Sequence, residues 1–272
     1  MNETLIPNVR NGSEIGFISR TRRYRFLMVP FSLFLAVVFW DLFVRLGDFP
    51  PFILPSPGRV WGRLWLSLGD GSLLRHTLYT LGEVLAGLAL GVSISTALGY
   101  LLAKSLSIER MLSPYIIASQ SVPIVAIAPL LVRWFGPGPT SKILICALIV
   151  FFPVLVNTVV GLRSVPNDLR DLMRSLRATR WQTFQFLEVP AAMPVFLGGL
   201  RIGATLSVIG AIVGEFVGAD RGLGFLINQA RGQYDISMVF VAILTLVTMA
   251  LVLYALVVLL ERYSLSWNDR IE

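Results

Sequence analysis

Residues 237–260 run without a single charged side chain. At about 1.5 Å of rise per residue, a helix of that length outreaches the ~30 Å hydrocarbon core of a bilayer. Hydrocarbon offers no water to bond the backbone, so a segment that stays there satisfies its own N–H and C=O groups as a helix. Predominantly apolar runs of similar length, each with one or two charged side chains, recur at 26–46, 77–103, 113–135, 141–162 and 191–213. The chain is therefore expected to be all-α, a polytopic membrane protein with six transmembrane helices. Residues 1–25 are polar and read as a cytosolic tail, and 26–272 read as one transmembrane domain. Charged residues make up 14% of the chain, against about a quarter in soluble domains. No cleavable signal peptide is expected, because the first apolar run is long and lacks a small-residue cleavage site.

Charge orients the spans. Lysine and arginine concentrate in 1–25, 104–112, 163–190 and 261–272, the stretches that six spans place on one side. The positive-inside rule makes that side the cytosol, so both termini are expected to be cytoplasmic. A net charge of +7 raises the question of nucleic acid. Because the arginines sit beside apolar spans, orientation explains them and no nucleic-acid partner is expected. One cysteine, Cys146, inside an apolar run argues against a disulfide framework or a cysteine metal site. One histidine, His76, leaves little material for zinc, haem or Ser-His chemistry, and no metal is expected.

The spans differ in texture. In 77–103, Gly82, Ala86, Gly87, Gly91, Ser95 and Gly99 recur near every fourth position, a face that lets another helix approach closely. In 113–135, Pro123 and Pro129 free backbone carbonyls at membrane depth. Asp41 and Arg45, four apart near the outer end of 26–46, are spaced to pair. Between the first two spans, Val60, Trp61, Leu64 and Leu68 suggest a helix lying in the interface, with Trp61 and Trp65 facing the headgroups. Phe225-Leu226-Ile227 reads as a half-buried turn. The last span is apolar nearly all round and reads as a lipid-facing packing helix.

The longest charged interruption is 167–190. Asn167 is placed to cap a first helix, with Asp168 and Asp171 near the positive end of its dipole. Leu169, Leu172, Met173 and Leu176 fall at i, i+3, i+4 and i+7 and make one apolar stripe. Thr179 with Gln182 reads as a capping box for a second helix, running through Trp181, Phe184 and Leu187 until Pro190 resets the backbone. Two short amphipathic helices joined by a turn at Arg177-Ala178-Thr179 are expected, suited to a protein surface as well as to water.

At these residues the chain resembles the permease subunits of bacterial ABC importers. Their cytoplasmic loop reads Glu-Ala-Ala, three residues, Gly, nine residues, Ile-x-Leu-Pro. Asp171-Leu172-Met173, Arg177 and Leu187-Glu188-Val189-Pro190 stand in those places here. An arginine at the glycine predicts a turn of different backbone, since a left-handed arginine would cost about 1–2 kcal/mol. The resemblance runs from about Leu54 to Leu260. It includes Leu54-Pro55-Ser56-Pro57 with Val60-Trp61, Thr80-Leu81-Gly82-Glu83, Gln120-Ser121-Val122-Pro123 and Trp134-Phe135-Gly136. It also includes Gly214-Glu215-Phe216-Val217-Gly218-Ala219 with Gly222-Leu223-Gly224. Together these look like the branch that serves nitrate, sulfonate, taurine, riboflavin and thiamine-pyrimidine uptake.

The resemblance implies the type I ABC importer permease fold in the bacterial inner membrane. It implies that ABC ATPase subunits engage the 163–190 coupling loop through Asp171, Leu172, Arg174, Arg177, Ala178, Thr179, Trp181 and Phe184. It further implies an extracytoplasmic substrate-binding protein and a permease homodimer. The chain has no Gly-x-x-x-x-Gly-Lys-Ser/Thr loop, so it is expected not to be an enzyme and to hold no cofactor, ATP being bound by the partner subunit. Within the branch, Thr80-Leu81-Gly82-Glu83 looks more like the permeases for riboflavin and the thiamine pyrimidine than those for nitrate or sulfonate. The latter often carry a basic residue near Glu83. Riboflavin is the expected cargo, with the thiamine pyrimidine next.

Candidate translocation residues are Glu83, Gln120, Pro123, Asn157 and Arg201, with Glu215 as a candidate outer gate. Glu83, ionisable within a span, is functional by default, or it pairs with Arg75, His76, Arg201 or its own copy across a dimer. Arg201 snorkels inward, pairs with a carboxylate or meets substrate. Helix–helix hydrogen bonds explain Gln120 and Asn157 as well as a path does. Glu215 can cap, gate or meet a binding protein, and His76 reads as an interfacial residue. Two other classes compete. An ATPase-independent carrier or channel would show internal repeats or a ring of charge, and an intramembrane enzyme would need a convergent nucleophile and base. The sequence displays neither pattern.

Overall fold

The computed structural model describes the backbone of residues 14–265 and the side chains of 28 and of 30–265. Of the expected tail, 1–13 lie outside the described residues, and a helix has begun by Glu14. Every regular element among the described residues is helical. They run in the order α1 (Glu14–Leu46), α2 (Pro57–Gly69), α3 (Ser72–Lys104), α4 (Leu106–Gln120), α5 (Ile124–Phe135) and α6 (Pro139–Arg163). There follow α7 (Asn167–Ser175), α8 (Arg180–Thr183), α9 (Val189–Gly218), α10 (Leu223–Gly232) and α11 (Ile236–Ser264). Four segments are long and apolar enough to cross a bilayer: α3, α6, the stretch Arg180–Gly218, and α11. The expected spans 77–103, 141–162, 191–213 and 237–260 fall inside them. The expected first span lies in α1, where Asp41 and Arg45 pair at 2.7 Å as their spacing foretold.

The expected span 113–135 is not one helix. It divides into α4 and α5, which meet at a bend of 93°. Pro123 sets the break. It has no N–H to continue the ladder, it disfavours helical backbone at Val122, and it sits extended at φ −68°, ψ 117° before α5 begins. Pro129 is accommodated inside α5. Counted as one broken span, the pair brings the candidates to five.

Close packing centres on α6, which lies between α3 and α9. The small-residue face of α3 is used as expected. A Cβ placed on Gly91 would lie 2.8 Å from the Ala147 carbonyl oxygen, and one on Gly210 of α9 would lie 2.8 Å from Cys146 Cα. Backbone therefore meets backbone on both sides of α6, where dispersion contacts are densest. Hydrogen bonds cross the same seams: the Ser95 hydroxyl donates to the Phe151 carbonyl (2.9 Å), and the Cys146 thiol donates to that of Ser207 (3.3 Å).

Around this slab, α11 packs on α9, α10 and α2. It buries Met238, Ala242, Leu246, Met249, Leu253 and Val257, a stripe at helical spacing, and leaves Ile243, Val247 and Leu251 on the outside. One flank of this apolar helix thus meets protein and the other is free for lipid. In α2, Val60 and Ser67 turn inward, while Trp61 and Trp65 stay exposed and meet edge to face at 5.8 Å. Arg63 ties α2 to the start of α11 through Asp235 (2.8 Å).

Candidate functional site

The 163–190 loop forms one end of the slab. Asn167 is the first residue of α7 rather than its cap; Pro166 holds the cap position, where a missing N–H is no loss and the fixed φ leads into the helix. The helix closes on Arg177, which takes φ +52°. The expectation of a different turn is thereby overturned: arginine adopts the left-handed backbone that glycine favours. Two hydrogen bonds explain why. Ala178 N–H donates to the Met173 carbonyl (3.0 Å) and Arg177 N–H to that of Arg174 (2.9 Å), the paired bonds of a Schellman ending. They satisfy the last carbonyls of α7 and offset a strain of about 1–2 kcal/mol.

The expected capping box is present. Thr179 Oγ1 accepts from Gln182 N–H (3.2 Å), and Gln182 Oε1 accepts from Thr179 N–H (2.8 Å). Beyond the box the backbone departs from expectation, because Pro190 does not reset it. After one turn of α8 the helix widens into a π-turn, Phe184–Glu188, and runs on as α9. In a regular α-helix the Pro190 ring would strike the Phe186 carbonyl, and it offers no N–H in return; the wider turn just before it absorbs both problems. The loop is therefore joined to the transmembrane helix without a hinge residue.

A pair unforeseen from the sequence braces this joint. Glu188, buried in the π-turn, binds Lys104 at the end of α3. The Lys104 ammonium also lies 5.4 Å from the Tyr100 ring centre, and Tyr100 meets Phe184 edge-on at 5.4 Å. Outward from the joint, Leu172, Leu176 and Trp181 expose their side chains beside Arg174, Arg177 and Arg180. Asp171 pairs with Arg174 at 2.9 Å, Ala178 is half-buried at the turn, and Phe184 faces inward. Leu172, Leu176, Trp181 and the three arginines thus form one apolar and cationic surface. Behind it, α3, α6 and the start of α9 leave a groove of about 1110 Å³ lined by Val92, Thr96, Tyr100, Leu162, Trp181 and Phe196, among others.

The opposite end holds a cluster that joins two separately named candidates. Glu83 is 3% exposed, Glu215 1% and Lys142 0%. The Thr80 hydroxyl donates to Glu215 Oε1 (2.7 Å) and accepts the Leu223 N–H (2.8 Å). Glu215 Oε2 accepts the Gly224 N–H, and His76 Nδ1 accepts the Gly222 N–H (3.0 Å). The first turn of α10 is thus capped by three side chains from α3 and α9. Gly222, at φ +106°, leaves no room for a side chain, since a Cβ there would overlap the Glu215 carboxylate. Phe225-Leu226-Ile227, expected as a turn, lie inside α10, with Leu226 and Ile227 buried. The Glu83 oxygens are cut off from solvent and have no hydrogen-bond partner among the described residues. The charged groups around Glu83 are Glu215, Lys142 and Asp220. Lys142 donates to the carbonyls of Pro137 and Gly138.

The other candidates stand apart. Arg201 pairs with Glu261 at 2.5 Å, which selects the carboxylate among its alternatives and separates it from Glu83. Asn157 Nδ2 donates to the Pro153 carbonyl (2.8 Å) within its own helix and packs on Gly199. Gln120 and Pro123 lie exposed at the break between α4 and α5. Thr80, His76 and Lys142 carry contacts that sequence reasoning did not assign. The signal for Thr80 and His76 was Gly222-Leu223-Gly224, a helix start with no capping side chain of its own.

Residues 89–264 match the model of the family described as the binding-protein-dependent transport system inner membrane component. The chain is 48% identical over 242 residues to a riboflavin transport system permease protein of Chloroflexus aurantiacus, covering 89% of this chain and 90% of the relative. It is 35% identical over 249 residues to a formylaminopyrimidine transport permease protein of Halalkalibacterium halodurans, covering 92% and 99%. Among solved structures, an inward-facing form of the MetNI methionine ABC transporter aligns with a TM-score of 0.64 at 19% identity, over 71% of this chain and 96% of that one. That likeness concerns the fold.

Proposed function

We infer the cargo and partners from one premise: the chain belongs to the family of binding-protein-dependent transport system inner membrane components. It is a multi-pass permease subunit of an ABC importer, the membrane component that carries no ATPase site of its own. The cargo we assign is riboflavin, with the thiamine pyrimidine next. The observation that carries this assignment is the relationship, over nearly the whole chain, to a permease named for riboflavin. Charge supports it. The cations of α6 and α9 that lie inside the slab, Lys142 and Arg201, are engaged by carbonyls and by Glu261, whereas a path for a small anion would gain from a free one there. A flat heteroaromatic molecule needs apolar walls and few polar groups, as at Gln120 and Pro123 beside the α4–α5 break.

In this reading two ATPase subunits, which bind the ATP, dock on the loops of a permease homodimer, and an extracytoplasmic binding protein delivers the cargo. Both termini and the 163–190 loop face the cytosol. Closure of the ATPases presses on α7 and α8, and the uninterrupted helix from Arg180 to Gly218 carries the displacement across the membrane. The cargo shifts this equilibrium only by its differential affinity for the two states. Uptake of labelled riboflavin by an auxotroph expressing the complete system tests the assignment. Accumulation is expected; no riboflavin uptake, with growth rescue on taurine or nitrate, would overturn it.

A further inference from the structure

The groove behind the loop has a cationic rim and an apolar wall. Leu88 of α3 and Leu200 of α9 pack on the buried cluster to which the α11 stripe belongs. One helical turn toward the loop, on the same faces, stand Val92 and Phe196, and these line the groove. The groove therefore runs from that cluster toward the loop, and no α11 side chain is among its lining residues. From Val92 to Leu101 it extends about 14 Å along the helix axis, a little under half of the ~30 Å hydrocarbon core.

Its mouth has interfacial chemistry. Trp181 and Tyr100, side chains with one apolar and one polar end, stand where headgroups begin. Arg180 lines the same mouth and makes no ion pair or side-chain hydrogen bond among the described residues. An open apolar trough in hydrocarbon is filled by a hydrocarbon chain, and an unpaired guanidinium at its end selects a phosphate of net negative charge. We propose that the groove holds an acyl chain of an anionic phospholipid whose phosphate is bound by Arg180. The proposal rests on reading 163–190 as a loop at the membrane surface, and it is independent of which cargo is carried.

The test uses the full-length chain in detergent, titrated with phosphatidylglycerol or phosphatidylcholine and read by native mass spectrometry. Phosphatidylglycerol is expected to be retained in preference by about fivefold, the worth of one arginine near a lipid surface. Arg180→Gln should abolish the preference, and Arg110→Gln, on the same side in α4, should leave it intact. Ala97→Trp fills an exposed position of the wall and should lower retention of both lipids. Equal retention of the two lipids by the unaltered chain would overturn the proposal. So would an Arg110→Gln effect as large as that of Arg180→Gln, which marks diffuse attraction. Displacement of the lipid by riboflavin would reassign the groove to cargo release, and loss of all bound lipid on dimerisation would reassign it to a second copy. Transport is not read, so failure here leaves the riboflavin assignment standing.

Discussion

Arg177 is the residue at which chain and family pattern disagree and backbone geometry sides with the pattern. Its φ of +52° is the conformation a glycine would take without strain. Arg177→Gly is therefore expected to raise the unfolding free energy by about 1 kcal/mol, seen as a higher thermal midpoint of the purified protein. An unchanged or lower midpoint would mean that the arginine side chain compensates through contacts of its own. At the other end, Thr80 serves two partners at once. Thr80→Val keeps the shape but leaves Glu215 and the Leu223 N–H each short of a bond, at a cost of about 1–3 kcal/mol. A fall in the thermal midpoint, with faster labelling of a cysteine placed at Phe225, is the expected signature. Neither role was legible in the sequence in full. The 177 position advertised a conflict whose resolution depends on two backbone bonds, and Thr80 lies 135 residues from Glu215.

Among the elements, the long apolar helices were the most legible. Their cores follow from apolar length alone, and α3, α6 and α11 enclose the expected spans with a few residues added at each end. The capping box at Thr179 was equally plain, because its two bonds are local. Proline was the ambiguous letter. Pro123 breaks its span, Pro129 does not, and Pro190 is absorbed by a π-turn. The outcome turns on whether neighbours satisfy the freed carbonyl, which local sequence does not encode. The continuity through Pro190 matters for coupling, because force applied to α8 acts directly on α9. Ala178→Asp places a carboxylate among the cations of the loop surface proposed to dock the ATPase, without disturbing the bonds that close the turn. Membrane insertion is expected to stay normal while ATPase co-purification is lost. Undiminished co-purification and transport would show that the ATPase sits elsewhere.

For the whole molecule, the testable quantity is sidedness. The arginines of 163–190 share their side with both termini if the spans number six. A reporter enzyme active only outside the cytosol, fused after Arg180, should be silent; activity there would invert the map. Sidedness also gives the capping of α10 a meaning. That helix begins with glycines and borrows every acceptor for its first turn: His76 and Thr80 from one transmembrane helix, Glu215 from another. It is a seal without a latch of its own. Any rocking that draws α3 away from α9 by the length of a hydrogen bond strips that turn of its two α3 acceptors, His76 and Thr80. The segment settles again only once the two helices have returned. If the loop is where an ATPase pushes, this turn sits about 45 Å from that push, at the far end of a thirty-residue helix, and its fraying and re-forming would report the stroke.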